Sequence, residues 1–425
     1  MYNPRPNDGS TFKFPLQCFW LKLNGSWPVE TQNETFKRLY NAWSWYVVFS
    51  VGITIYFQTV FLIFTFGDIL KTTENCCTTF MGALNFIRIV HLKMNQKPFK
   101  LILRNFVKSI WIKKGSNPRI ENECQSNMKI FSLVSIMMMC LILMYCFLPL
   151  IELFSNPNAD EKPFPYKMIF FYDANHGWKY VFTYIFTSFA GMCVVTTLFA
   201  EDSLIGFFVT YTCGQLRILH EDCYKIIPQA HRKVVAENGK ISVPEVHFQR
   251  EYVRQLHVIA KRHSEIINFA QSLEKFNSPH LLANFSISSI LICMVGFQLV
   301  TGKMFIGDYL KFLVYILSAL SQLFILCWNG DNLIQCSLKT AWHLYACNWE
   351  GGELSQQDKK MKQDAIKYCP AGRDFNLKLK LMIMRSQKPL QITAMKFSVL
   401  SLESFTKILS SSMSYFTLLQ TMLEK

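Results

Sequence analysis

The 425-residue chain is short of acidic residues, 29 against 44 basic ones, and it lacks the usual signatures of catalysis. No CxxC pair has zinc-finger spacing, no HExxH occurs, and no glycine-rich loop is placed to cradle a phosphate. These absences argue against a metalloenzyme, a nucleotide-binding enzyme and a zinc-folded module. No catalytic residue, metal ligand or cofactor is expected. No Gly/Ser linker, low-complexity tract or short repeat divides the chain, so the two or three linked domains of a soluble protein this long are not legible. The first 40 residues contain no apolar signal core, so a cleaved leader is not expected. The 14 cysteines form no disulfide pattern. Cys140, Cys146, Cys193, Cys293 and Cys327 lie in apolar runs, Cys124, Cys223, Cys347 and Cys369 in basic segments, and residues 152–178 contain none.

What is present is apolar length. Charge-free runs occupy 45–66, 130–151, 180–200, 276–302 and 312–330. Each approaches or exceeds what a helix needs to cross the hydrocarbon core. A weaker run at 76–95 contains Arg88, and a last one, 395–425, is interrupted near its start by Glu403 and Lys407. The reading is an all-α membrane protein with seven transmembrane helices. Lys and Arg are concentrated in alternate connections, 34 in residues 1–40, 93–129, 214–276 and 332–392 against 4 in 67–75, 152–178 and 302–308. Basic loops stay cytoplasmic. The N-terminus is therefore expected inside and the C-terminus, with Lys425, outside. The net charge of +15 reports this topology, and no nucleic-acid partner is read from it. The expected division is a cytoplasmic segment 1–42, helices one to four in 43–213, a cytoplasmic extension 214–276, helices five and six in 277–331, a cytoplasmic segment 332–394 and helix seven in 395–425.

Placed on a helix, Lys407, Ser411, Ser414, Leu418, Thr421 and Lys425 share one face. That face is polar except for Leu418, while Phe397, Leu402, Phe405, Ile408, Phe416 and Leu419 lie elsewhere. Two readings fit: a water-lined pore with one apolar constriction, or small residues packing closely on a neighbouring helix. Arg88 reads as a side chain snorkelling to the inner interface, the alternative being a buried functional charge. Glu201-Asp202 reads as the point where the fourth helix leaves the bilayer, or else as a cation ligand. His257 and His263 are six residues apart, the wrong spacing for a helical metal pair, and read as surface residues. The Asn24 and Asn33 sequons favour an external N-terminus, but the basic-residue asymmetry outweighs them.

With this topology four outer helix ends offer Phe80, Met81 and Leu84; Met138, Leu141 and Tyr145; Phe182, Thr183 and Phe186; and Tyr309, Phe312, Leu313 and Ile316. Helix packing explains such groups. So does an apolar pocket with a few hydroxyls, suited to a small, weakly polar molecule.

Short motifs cluster toward the C-terminus: Gly330-Asp331-Asn332-Leu333, then Ser337, Ala341, Tyr345 and Trp349; Arg385-Ser386-Gln387-Lys388-Pro389; and Phe397, Ser398, Leu402, Phe405 and Ser414-Tyr415-Phe416. Asp202 with Gln215-Leu216 and Leu219 adds an earlier patch. In order and spacing these resemble the insect odorant receptors. The resemblance implies a seven-helix, ligand-gated, non-selective cation channel in the membrane of sensory neurons. It implies a tetramer shared with a co-receptor subunit, a small volatile organic ligand and contact with membrane lipid. It puts Leu418 at an apolar gate with Thr421 at the polar ring beside it, and 203–276, 332–392 and 395–406 in a cytoplasmic anchor. The co-receptor has Gln where this chain has Thr421 and a longer loop between helices four and five, so the chain resembles a ligand-tuning subunit. A gustatory receptor of the same fold is the nearer alternative. A G-protein-coupled receptor is more remote, for no Asp-Arg-Tyr or Asn-Pro-x-x-Tyr is present. A secondary transporter would show internal repeats, and none is visible.

Overall fold

The computed structural model describes residues 2, 17–113, 115–155, 162–238, 244–301, 306–352 and 368–423. Lys425, most of residues 1–16 and the stretch 353–367 of the basic segment lie outside them. The fold is all-α and membrane-type. Its elements are α1 (Gln17–Leu23), α2 (Glu34–Phe64), α3 (Ile69–Met94), α4 (Gln96–Asn105) with a π-helical turn Phe106–Ile110, α5 (Pro118–Ser155), α6 (Gly177–Asn238), α7 (Glu245–Thr301), α8 (Ile306–Tyr345), α9 (Arg373–Ser386), a hairpin of β1 (Thr393–Ala394) and β2 (Ser398–Val399), and α10 (Leu402–Leu423). Five of these helices, α2, α5, α6, α7 and α8, are long and apolar enough to cross a membrane.

Local chemistry marks the helix starts. The Asn33 side chain accepts from the N–H groups of Thr35 and Phe36, and Asp68 accepts from Lys71 N–H. Proline opens α5, where its missing N–H costs nothing. At 62 and 57 residues, α6 and α7 run about 90 Å and 85 Å at 1.5 Å per residue. A bilayer core is about 30 Å thick, so each reaches far beyond one crossing. Their distant parts pack with the end of α8 and with α9 around Tyr252, Phe375, Leu219 and Leu344. A larger core lies between that end and the middle of the bundle, where Phe99, Phe106, Phe208 and Phe269 converge beneath α1.

Several expectations change. Arg88 does not snorkel: it is fully buried and donates to Asp202 Oδ1 at 2.8 Å, with Glu201 Oε2 at 3.8 Å. Glu201 and Asp202 face it from α6. They are buried, α6 continues past them, and Gln322 of α8 donates to the second oxygen of Asp202. A cation of α3 has its counter-charge 114 residues away, which local sequence cannot reveal. His257 is exposed, but His263 is buried. Asn24 is buried, its amide donating to the Thr196 and Thr197 hydroxyls at 2.9 Å each, so in this fold it carries no glycan. The last helix begins at Leu402. Met395 and Lys396 take positive φ, 52° and 64°, and turn the chain back so that Leu400 N–H reaches the Ile392 carbonyl. That hairpin needs Gly330 of α8, where a Cβ would stand 2.1 Å from the Leu400 carbonyl oxygen.

Candidate functional site: an apolar cavity and a solitary polar stripe

An apolar cavity lies among α2, α3, α5, α6 and α8, with ≈ 560 Å³ of atom-free space counted out through its open mouth. Small residues open it. Gly82, Ala190 and Gly191 line it, and a Cβ on Gly191 would collide with the Tyr166 hydroxyl at 2.0 Å. Val51, Ile55, Val194, Val195, Met81, Leu141 and Ile142 make the apolar wall. Tyr145 and Tyr166 stack with ring centroids 5.5 Å apart. Polar groups are few: Thr54, Gln58, Thr78 and three tyrosines. Thr54 and Thr78 spend their hydroxyls on their own helices, and Tyr315 donates to the Cys77 carbonyl at 3.0 Å. The side chain of Gln58 and the hydroxyls of Tyr145 and Tyr166 have no hydrogen-bond partner among the described residues. They are the groups a guest can engage. The Lys311 ammonium, absent from the lining, sits 5.2 Å from the Tyr145 ring centroid and is paired with Asp308 at 2.7 Å.

Of the residues expected from sequence, Met81, Leu141 and Tyr145 come together here. Leu84 joins Met81 and Tyr315 at a smaller neighbouring cavity, and Met138 lines another beside Asp202 and Gln322. Phe312 is buried behind the wall with Tyr145 and Tyr315, and Ile316 packs against the same cluster. Phe80 and Leu313 are half-buried and line none of these spaces. The α6 group does not reach the cavity. Phe182 is 62% exposed and stacks on Phe186, while Thr183 is buried and bonded to Tyr172 and the Lys179 carbonyl. Tyr309 is exposed. The physical reason is rotation: α6 turns its small residues Ala190 and Gly191 inward, two turns beyond the aromatics. Sequence reading missed the α2 contribution altogether. Its signal was present, since Ser50, Thr54 and Gln58 recur every four residues along an otherwise apolar helix and are all buried. Tyr166 carried no such signal, because it comes from a connection.

The stripe of α10 is turned away from its own bundle. Ser411, Ser414, Leu418 and Thr421 are exposed, whereas Ser404 and Ser412 are buried and Phe405 packs edge-on against Phe324 of α8. Leu419, next to Leu418, is half-buried on the bundle side. Each stripe hydroxyl bonds to a carbonyl three or four residues back, so its donor needs no outside partner.

At the far end, His220 is buried with its ring stacked 4.3 Å from His343, and its Nε2 lies 2.8 Å from the Thr340 hydroxyl. Burial, with the second imidazole adding to it, pushes the His220 pKa down to about 3.

This geometry has known counterparts. A family profile described as "7tm Odorant receptor" matches residues 68–413. The chain is 50% identical to Odorant receptor 13a of Drosophila melanogaster over 418 residues, 96% of this chain and 95% of that one. It is 27% identical to Odorant receptor 22c of the same species over 244 residues, 57% of this chain and 53% of that one. Its fold resembles the insect olfactory receptor OR5 from Machilis hrabei in complex with eugenol, with a TM-score of 0.73 at 14% identity, covering 96% and 97% of the two chains.

Proposed function

The chain belongs to the 7tm odorant receptor family, a receptor and not an enzyme, and on that premise we propose that it is the ligand-tuning subunit of an odorant-gated cation channel in the membrane of sensory neurons. Its ligand is a small, mostly apolar volatile with one weakly polar group. The cavity carries this reading: an apolar space whose free polar groups are one amide and two phenols, with no ionised side chain in its lining. The similar OR5 was solved with eugenol, a molecule of that kind.

The proposed topology has seven crossings, α3 and α10 joining the five longer helices, with the N-terminus cytoplasmic and the C-terminus outside. The 34-to-4 asymmetry of basic residues supports it. Residues 203–276, 332–392 and 395–406 form the cytoplasmic anchor. The pore is lined by Ser411, Ser414, Leu418 and Thr421 of α10, with Leu418 as the apolar gate. The exposure of this face in the single chain supports it, for α10 offers its polar stripe away from its own bundle. The chain assembles with the family's co-receptor, and opening follows the ligand's higher affinity for the open state.

The test is an odorant panel applied to cells expressing this chain with the co-receptor, alone, and with neither. Odorant-evoked cation current is expected only from the pair. Large currents from this chain alone would remove the co-receptor requirement. A response that survives block of ion flux and needs a G protein would overturn the channel reading.

A further inference from the structure

Where α3, α6 and α7 meet, a second group of polar side chains is buried away from the cavity. His91, Glu201 and His280 each aim one ligand atom at a common point, the three atoms lying within 4.8 Å of one another. Glu201 and His280 are 3% and 1% exposed. Both carboxylate oxygens of Glu201, both ring nitrogens of His280 and Nδ1 of His91 have no hydrogen-bond partner among the described residues. Leaving a buried polar group unpaired is destabilising, and more so for a charged one. Five such atoms are gathered on three side chains, and three of them, one from each, converge on one spot.

The charges point the same way. Arg88 is matched by Asp202 at 2.8 Å, and Gln322 satisfies the other oxygen of Asp202. That leaves Glu201 over. Its Oε2 lies 3.8 Å from the Arg88 guanidinium, while its Oε1 turns toward His280 Nε2 at 3.6 Å. A buried carboxylate left over in this way must be neutralised, by a proton or by a cation, and two imidazoles beside it supply further cation ligands.

We propose that His91, Glu201 and His280 form a binding site for a divalent transition metal of the zinc class. Two imidazoles and one carboxylate are a donor set zinc favours, with a water completing the fourth position. Calcium and magnesium prefer all-oxygen sites. A tetrahedral site with bonds of about 2.0–2.1 Å needs ligand atoms roughly 3.3 Å apart. The 3.6 Å Glu201–His280 separation is near that spacing, and the three ligand atoms, all within 4.8 Å of one another, would draw together on binding. Apolar side chains wrap the site. Phe276 packs on the His91 ring at 4.9 Å, and Leu92, Leu204 and Phe208 line the small adjoining space. Arg88, held by Asp202, orients Glu201 from behind, as outer partners of metal ligands do. The metal would tie three helices together at the level where the cavity region gives way to the dense core.

The full chain is purified with its co-receptor, incubated with zinc chloride, desalted and assayed for metal by mass spectrometry. The thermal midpoint is recorded with zinc and with a chelator. The co-receptor purified alone gives the background. About one zinc per copy of this chain above that background is expected, with a midpoint raised by zinc. Glu201→Gln and His280→Gln should each cut retained zinc at least fivefold and abolish the zinc-dependent shift. Cobalt loading of the unmutated protein gives a second readout that needs no variant to fold: visible absorption of tetrahedral intensity is expected. Zinc retained equally by Glu201→Gln would place the metal elsewhere, at exposed histidines. Retention below a tenth of an ion per chain, with no shift and no tetrahedral cobalt spectrum, would overturn the site and leave Glu201 neutralised by a proton.

Discussion

Helices α3 and α6 run side by side past Arg88 and Asp202, and they pack differently on the two sides of that pair. On the cavity side Gly82 of α3 faces Ile55 and Gln58 of α2, Gly191 of α6 faces Tyr166, and side chains stop short of filling the space. On the other side α6 meets the region after α3 through Phe208 against Phe106, centroids 4.9 Å apart, with Phe269 of α7 completing the contact. The first region leaves three polar groups free; the second is nearly all aromatic and aliphatic. Close packing gives the core side its rigidity, while the cavity side gives up dispersion contacts to leave room for a guest. The buried ion pair sits at the change. A receptor that must both bind a small molecule and hold its shape divides the tasks in this way.

The largest effect is expected from breaking the boundary itself. Arg88→Ala leaves Asp202 buried without its cation, a loss of about 3–5 kcal/mol. Surface expression and the thermal midpoint in detergent should fall sharply. A variant that traffics and melts like the parent would show that the pair does not hold the two regions together.

The next effect belongs to the cavity alone. Removing a buried ring costs a ligand roughly 1.5–3 kcal/mol of contact, and 1.4 kcal/mol is about tenfold in affinity. Tyr145→Ala should therefore move odorant potency more than tenfold, or reorder the odorant ranking, at unchanged surface expression. Phe186→Ala, on the same stretch of bundle but off the cavity, should change potency less than about threefold. Equal shifts at both positions would mean the ligand does not sit where the free polar groups are.

The stripe of α10 offers a finer contrast between neighbours. Leu418→Ser should raise current in the absence of odorant, since an apolar ring holds back water without charge. Leu419→Ala, on the bundle side about 100° round the helix, should leave basal current nearly unchanged. Because co-receptor subunits would dilute the effect in the proposed assembly, the comparison between the two positions is the measurement. Leakage from Leu419→Ala but not from Leu418→Ser would reverse the assigned face.

The smallest effect concerns the far end. His220 titrates near 3 when folded and near 6.5 when exposed, so below about pH 6.5 the unfolded chain binds a proton that the folded chain refuses. Stability is flat above that pH and declines as pH drops from 6.5 toward 3. His220→Gln, which keeps a polar group near Thr340, should lessen the fall of the thermal midpoint between pH 7.5 and 5, the remaining slope including that of His263, whose pKa burial pushes down to about 4. An unaltered slope would assign the pH dependence to other groups.

Apolar run length alone, a property of consecutive residues, settled the all-α membrane-type class, and short motifs from Gly330 to Phe416 pointed to the family. Periodicity showed the stripe of α10, because a helix converts spacing of three and four directly into a face. It did not show where that helix begins, since the turn at Met395 and Lys396 depends on a hairpin packed over Gly330 of α8. Nor did it reveal the partner of Arg88, a fixed neighbour only once α3 and α6 lie together. The cavity was legible in part for the same reason: Met81, Leu141 and Tyr145 lie on the inward faces of their helices. Gln58, Tyr166 and Gly191 became a site only through the rotation of each helix and the path of a connection. Those are set by how side chains from five separate segments fit one another, a condition that no single stretch of sequence contains.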